Sequence, residues 1–219
     1  MAFRRVIGVG WEDDKMLSFE IEPGILQQPN IPKPLHGLNP RRIMGDAWWN
    51  TMRKIAYAST DNRCLSCGVH KSDALFYHWL EAHEIYNIDY KKGLATFTRI
   101  VPLCPACHKF IHNGLLYVDL KRGKISSGDF WCILEHGTGL LTENYLDQNK
   151  FVINIIRRLK EEGAKVPSWA NALQRNFGEV TFSDGTVPWS KWRLDFNGKL
   201  YSPLYKSYDE WLDQFAVGE

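Results

Sequence analysis

Two Cys-x-x-Cys pairs, Cys64/Cys67 and Cys104/Cys107, constrain this chain more than any other feature. Four thiolates in two such pairs make a closed tetrahedral zinc site, and a site of that kind contributes folding free energy outright. Residues 68–103 between the pairs are wider than the span of a short zinc ribbon and leave room for a hairpin. The fifth cysteine, Cys132, lies in the apolar run Phe130-Trp131-Cys132-Ile133 and is expected to be a buried free thiol. Cysteines used this way suit a reducing compartment rather than a disulfide framework. The opening residues carry two arginines and too short an apolar run for a signal peptide, so an intracellular, cytoplasmic location is expected. No apolar stretch approaches the length of a membrane span, and no membrane association is expected.

Around the cysteines the pattern implies an α+β fold. Prolines 23, 29, 32, 34 and 40 argue against a long helix in residues 1–40. Apolar Ile43, Ala47, Trp48, Ile55 and Ala58 recur at near-helical spacing and predict a helix over 41–59. Cys64-Leu-Ser-Cys-Gly68 has the form of a zinc knuckle, with Gly68 free to take a positive φ. Strands are expected around Phe76–Ile88 and Leu94–Val101, the second with Ala95, Phe97 and Arg99 on one face, joined by a turn at Asp89-Tyr90-Lys91-Lys92-Gly93. A helix should open at Cys104, favoured by Pro105 at its first position, and close at Gly114. His108 and His112, four residues apart, then share a face.

Beyond Gly114, Leu115–Leu120 reads as a short strand and Phe130–His136 as a compact apolar stretch. Helical periodicity runs through Asn144–Glu162, and another helix is expected from Pro167-Ser168 to Phe177-Gly178. The tail from Val187 is rich in aromatics, for which core packing is the better expectation than stacking on bases. Three regions follow: an N-terminal segment, 1–59; a zinc module, 60–120; and an aromatic-rich, mostly helical region, 121–219. No repeat or flexible linker separates them.

The net charge of +2 carries no whole-chain argument for a nucleic-acid partner. Locally, Lys91, Lys92, Arg99, Lys109, Lys121, Arg122 and Lys124 face a single acid, Asp119, between positions 91 and 124. Such a cluster beside a zinc module suits a phosphate-binding surface. Histidines 36, 70, 78 and 136 have no partner pattern and read as surface or packing residues.

Knuckle, hairpin and helix, with His83 in Trp79-Leu-Glu-Ala-His83-Glu84 and with Cys104-Pro-Ala-Cys107-His108-Lys-Phe-Ile-His112-Asn-Gly114, resemble the zinc-bound branch of the HNH nuclease family. The resemblance covers residues 64–114 well and reaches the Trp192-Arg-Leu-Asp195 region only loosely. It implies a treble-clef ββα module with structural Zn2+ on Cys64, Cys67, Cys104 and Cys107. It further implies a separate catalytic cation (Mg2+, Mn2+ or Ni2+), His83 as general base, His112 or His108 as helix ligand, and DNA as the favoured partner. On that resemblance Arg99, Lys109, Lys121 and Arg122 would contact nucleic acid. Two positions depart from the family. Ala82 stands where a cation ligand is usual, so Glu81, Glu84 or Asp89 would have to substitute. Arg99 stands where an asparagine normally orients the site. The rival expectations are an inactive module that binds nucleic acid and one that docks a protein partner.

Overall fold

The computed structural model describes residues 19–175 and 187–216, and over these the fold is α+β. The expectations for 1–18 and for a helix end at Phe177-Gly178 lie outside the described residues. The helix expected over 41–59 is two helices, α1 Pro40–Met44 and α2 Asp46–Ala58. Gly45 breaks them apart at φ 83°, a conformation that carries no steric penalty for glycine. No helix among the described residues is long and apolar enough to cross a membrane.

The hairpin consists of β1 Glu81–Asp89 and β2 Leu94–Leu103, antiparallel. β1 starts later than the expected Phe76, because residues 74–80 follow an irregular path in which Phe76 takes φ 73°. Asp89 closes the turn, its Oδ1 accepting from the backbone N–H groups of Lys91 and Lys92, 3.0 Å each. Ile85 pairs with Arg99 and Tyr86 with Phe97, which leaves Thr98 as a bulge. Cross-strand partners share a face and successive residues alternate. Arg99 therefore lies on the face of His83 and Val101, opposite Ala95 and Phe97, which corrects the expectation that all three share one face.

β3 Arg193–Phe196 adds to β2 in parallel, and β4 Lys199–Tyr201 completes the sheet, in the order β1-β2-β3-β4. The C-terminal region, expected to be mostly helical, thus returns two strands to the hairpin.

α3 Pro105–Ile111 opens at Cys104 as expected but ends before Gly114. His112 leaves helical geometry at ψ 41°, and α4 Asn113–Lys121 begins at once. Asn113 is buried, and its Nδ2 donates to the carbonyl oxygens of Phe110 and Ile111, 3.2 Å each. Those carbonyls would otherwise be left unpaired at the helix end. The strand expected over Leu115–Leu120 is part of α4. An apolar run this short does not separate strand from helix by periodicity, and burial of Leu116 between α4 and its neighbours decides the outcome.

α5 Ser127–Glu143 contains the apolar stretch around Cys132, whose side chain is half-buried rather than buried; burial raises its thiol pKa. α6 Lys150–Glu161 starts later than expected because Asn149 caps it, with Oδ1 accepting from Phe151 N–H at 3.0 Å. α7 Ser168–Arg175 and the short α8 Tyr208–Trp211 follow.

The larger core gathers Leu26, Leu65, Val101, Leu103, Phe110, Phe130, Ile133, Leu134, Val152 and Ile156 around α3, α5 and α6. Complete burial of each such side chain stabilises the fold by roughly 1.5–3 kcal/mol. A smaller core on the other side joins Leu35, Leu38, Ala95, Trp192 and Leu194. Of the tail aromatics Trp192, Phe196 and Trp211 are buried as expected, while Tyr208 is exposed, with Lys33 Nζ 4.9 Å from its ring centroid.

Candidate functional site

The knuckle is closed by its own backbone. Cys64 N–H donates to Val69 O and Gly68 N–H to Cys64 O, 2.8 Å each, with Gly68 at φ 75°. Leu65 N–H then donates to Pro102 O at 2.9 Å, which fixes the knuckle against the end of β2. Cys104 caps α3, and the Cys107 N–H donates to its sulfur at 3.5 Å. These local structures bring all four sulfur atoms within 4.8 Å of one another, so the cluster is positioned to hold a metal ion.

The Cys67–Cys104 sulfur separation is 3.8 Å. A tetrahedral ion with Zn–S bonds of about 2.3 Å requires an edge of about 3.8 Å, so the residues fit zinc. Crowding splits the thiols. Contacts from Cys107, Cys64 and Cys67 hold Cys104 far below its ordinary value, while Cys67 and Cys107, pressed against Cys104, are pushed well up. Metal binding would therefore displace protons from the cluster.

His136, read from sequence as a packing residue, lies with Nε2 3.3 Å from Cys107 Sγ. It comes from α5, remote in sequence, and carries no motif, so only the packing of α5 on α3 reveals it.

The second cluster is His83, His108 and His112, with one nitrogen from each within 4.8 Å of the others. Ring centroids are 5.3 Å apart for His83–His108, 5.0 Å for His83–His112 and 4.6 Å for His108–His112. β1 supplies the first and α3 with its C-cap the other two, so the hairpin-on-helix packing assembles the cluster. His83 is only 2% exposed, and neither of its ring nitrogens has a hydrogen-bond partner among the described residues. Buried polar groups are normally paired, so two orphaned nitrogens on one imidazole mark a site made to receive something.

Burial, reinforced by His112 and His108, holds the His83 pKa well below its ordinary value. Burial likewise lowers His112 to about 4. Both rings are neutral near pH 7 and able to accept a proton or ligate a cation.

Glu81 completes the group. Its Oε2 pairs with His108 Nδ1, and its Oε1 accepts from Trp79 Nε1 at 3.3 Å. Burial acts to raise the Glu81 carboxyl, but the hydrogen bond and charge of His108, the Trp79 hydrogen bond and the charge of Lys109 together outweigh it, and the pKa stays below the ordinary value. A carboxylate on one ring nitrogen orients the other, the usual support for a metal-ligating histidine. Of the three acids expected to compensate for Ala82, Glu81 is thus in place. Glu84 lies near His108 with its carboxyl pKa raised by burial. Asp89 closes the far turn and is not part of the site.

A cleft of about 710 Å³ opens beside the cluster, lined by Arg41, Arg53, Lys71, His78, Glu81 and His108 among others. Arg53 Nε donates to Asn50 Oδ1 at 2.9 Å and Lys71 Nζ to Asn62 Oδ1 at 3.2 Å, both neutral amides. Arg41 pairs with Asp46 at 2.7 Å. The candidate nucleic-acid residues read from sequence are placed differently. Arg99 pairs through both of its terminal nitrogens with Glu22, and Lys121 Nζ meets Glu162 at 2.7 Å. Arg122 caps α4, and Lys109 sits on α3 close enough to help lower the Glu81 pKa. The cleft's own cations, Arg41, Arg53 and Lys71, fall outside the 91–124 run and were not singled out from the sequence. No protein-family model matches this chain, no curated protein is recognisably related to it, and no solved structure matches it.

Proposed function

We propose that this protein is an HNH-like, metal-dependent endonuclease or nickase acting on DNA phosphodiester bonds, built on a structural zinc site at Cys64, Cys67, Cys104 and Cys107. The observation that carries this reading is the convergence of His83, His108 and His112 beside a cleft lined by cations, with His83 buried and its ring nitrogens without a hydrogen-bond partner among the described residues. His108 and His112 would hold a divalent cation, with Glu81 fixing the His108 ring. When bound, such an ion supplies stabilisation of the charge that develops on the phosphate and leaving oxygens. Imidazole donors favour Mn2+ or Ni2+ over Mg2+, which prefers oxygen ligands. His83, neutral at pH 7, accepts the proton of the attacking water. Arg41, Arg53 and Lys71 neutralise and orient the phosphates in the cleft.

The test is incubation of supercoiled plasmid with the protein in Mn2+, Ni2+ or Mg2+, beside His83→Ala and His112→Ala. Nicking is expected from the parent and lost in both variants, while zinc content stays at one ion per chain. His83→Ala should still bind Mn2+, and His112→Ala should not. Intact plasmid from zinc-loaded protein refutes the nuclease reading. A second reading, a nucleic-acid-binding module without catalysis, draws on Ala82, which removes a cation ligand from β1. It predicts salt-sensitive DNA binding and no cleavage with any cation.

A further inference from the structure

Between the knuckle and β1 the chain displays apolar side chains instead of burying them. Ala74 and Leu80, 4% and 6% exposed, anchor the ends of the segment. Between them Phe76, Tyr77 and Trp79 are 38%, 47% and 48% exposed. Phe76 holds φ 73°, a left-handed conformation that is strained for a bulky residue. Tyr77 and Trp79 lie parallel, with centroids 4.3 Å apart and planes within 8°. The pair is a preformed flat platform.

The platform is connected to the histidine cluster. Trp79 donates to Glu81, Glu81 pairs with His108, and His108 stands against His83 and His112. Trp79 also lines the cleft with Arg41, Arg53 and Lys71. Flat aromatic surface therefore adjoins positive charge, and Glu81 ties Trp79 to His108.

We propose that the Tyr77–Trp79 stack receives an unpaired nucleobase, so that the preferred ligand of this cleft is single-stranded nucleic acid or a frayed duplex end. This inference rests on the reading of the cleft as a phosphodiester site. Base faces are covered in an intact duplex and become available only when a base is unpaired, whereas phosphates are available in both. Arg53 and Lys71, bonded to neutral amides, provide the charge complementary to the flanking phosphates. An apolar protein segment would not use that charge.

The test measures anisotropy of labelled 12-nucleotide oligomers: single-stranded DNA, the same sequence as RNA, and the blunt DNA duplex. The proteins are the parent, Trp79→Ala, Tyr77→Ala and Trp79→Phe, each with verified zinc content. Single strands should bind more tightly than the duplex. Trp79→Ala and Tyr77→Ala should each weaken single-strand binding about 5- to 100-fold, the effect of losing one base-stacking partner. Trp79→Phe, which keeps the ring face, should retain most of the affinity, and duplex binding should change little in any variant. Equal affinity for single strand and duplex, no effect of either alanine variant, or no binding at all overturns the proposal. Similar binding of DNA and RNA supports it, since stacking does not depend on the sugar. Single-strand binding that needs Trp79 without plasmid nicking leaves this inference standing and removes the nuclease reading. Nicking with no dependence on Tyr77 or Trp79 does the reverse.

Discussion

Two glycines on α5, two residues apart, should respond to alanine with opposite signs. Gly137 faces α3, where a Cβ would lie 2.2 Å from Cδ2 and 2.4 Å from Cγ of the Phe110 ring. Phe110 is fully buried, so its ring has no solvent to move into. Gly139 has nothing within 4 Å of the same added atom. Replacing a helical glycine with alanine gains about 1 kcal/mol from propensity. At Gly139 that gain should appear whole. At Gly137 it is opposed by overpacking of about 1–3 kcal/mol, toward the upper end because backbone-anchored atoms meet a buried ring well inside contact distance. Gly137→Ala should therefore lose about 1–2 kcal/mol net, and Gly139→Ala should gain up to about 1 kcal/mol. For a chain of this length each kcal/mol moves Tm by about 2–4 °C. Urea and thermal unfolding of the zinc-loaded proteins measure both. Gly137→Ala as stable as Gly139→Ala would refute the close approach of α5 to α3.

The same interface carries a second expectation: His136→Ala should weaken zinc retention about 10- to 100-fold in chelator competition, because its ring supports Cys107. Removing zinc by chelation should unfold the knuckle and α3 together, and reloading should release protons, measurable with a pH indicator in weak buffer. His112 has a folded pKa of about 4, below its unfolded value near 6.5. Its contribution to stability is thus present above pH 6.5 and lost as pH falls toward 4. Without a cation at the histidines, this accounts for on the order of 3 kcal/mol. Stability measured across that range should fall less in His112→Phe, and the His112 ring resonance should titrate near pH 4; titration near 6.5 would contradict its burial.

Local chemistry made part of this fold readable in advance. Cysteine spacing alone located the four-thiol cluster, and four-residue spacing placed His108 and His112 on one face, while their meeting with His83 was implied only by the resemblance to the HNH module. The misreadings share a cause, namely that the deciding groups are distant in sequence. The run Leu115–Leu120 reads as a strand because its five apolar residues have no period of their own, and only contact with α5 and α6 makes it part of α4. His136 carries no motif, and its role appears only once α5 meets α3, whereas Glu81, one of three acids expected beside Ala82, is singled out by the meeting of β1 with α3. The basic run at 91–124 suggested a phosphate surface, yet Glu22 and Glu162, far away in the chain, engage Arg99 and Lys121. The cleft draws its cations instead from α1, α2 and the turn at Lys71.

The bulge at Thr98 settles which core each part of the hairpin serves. Val101 and Leu103 belong to the larger core with α3, and Ala95 belongs to the smaller one with Trp192. All three are odd-numbered, and in an unbroken strand they would point the same way. One supernumerary residue reverses the parity, so a single strand hands its apolar side chains first to one core and then to the other. Chain length at Thr98 thereby sets Val101 beside His83 on the face toward α3 and Phe97 beside Tyr86 on the opposite face, although both β2 residues are odd-numbered.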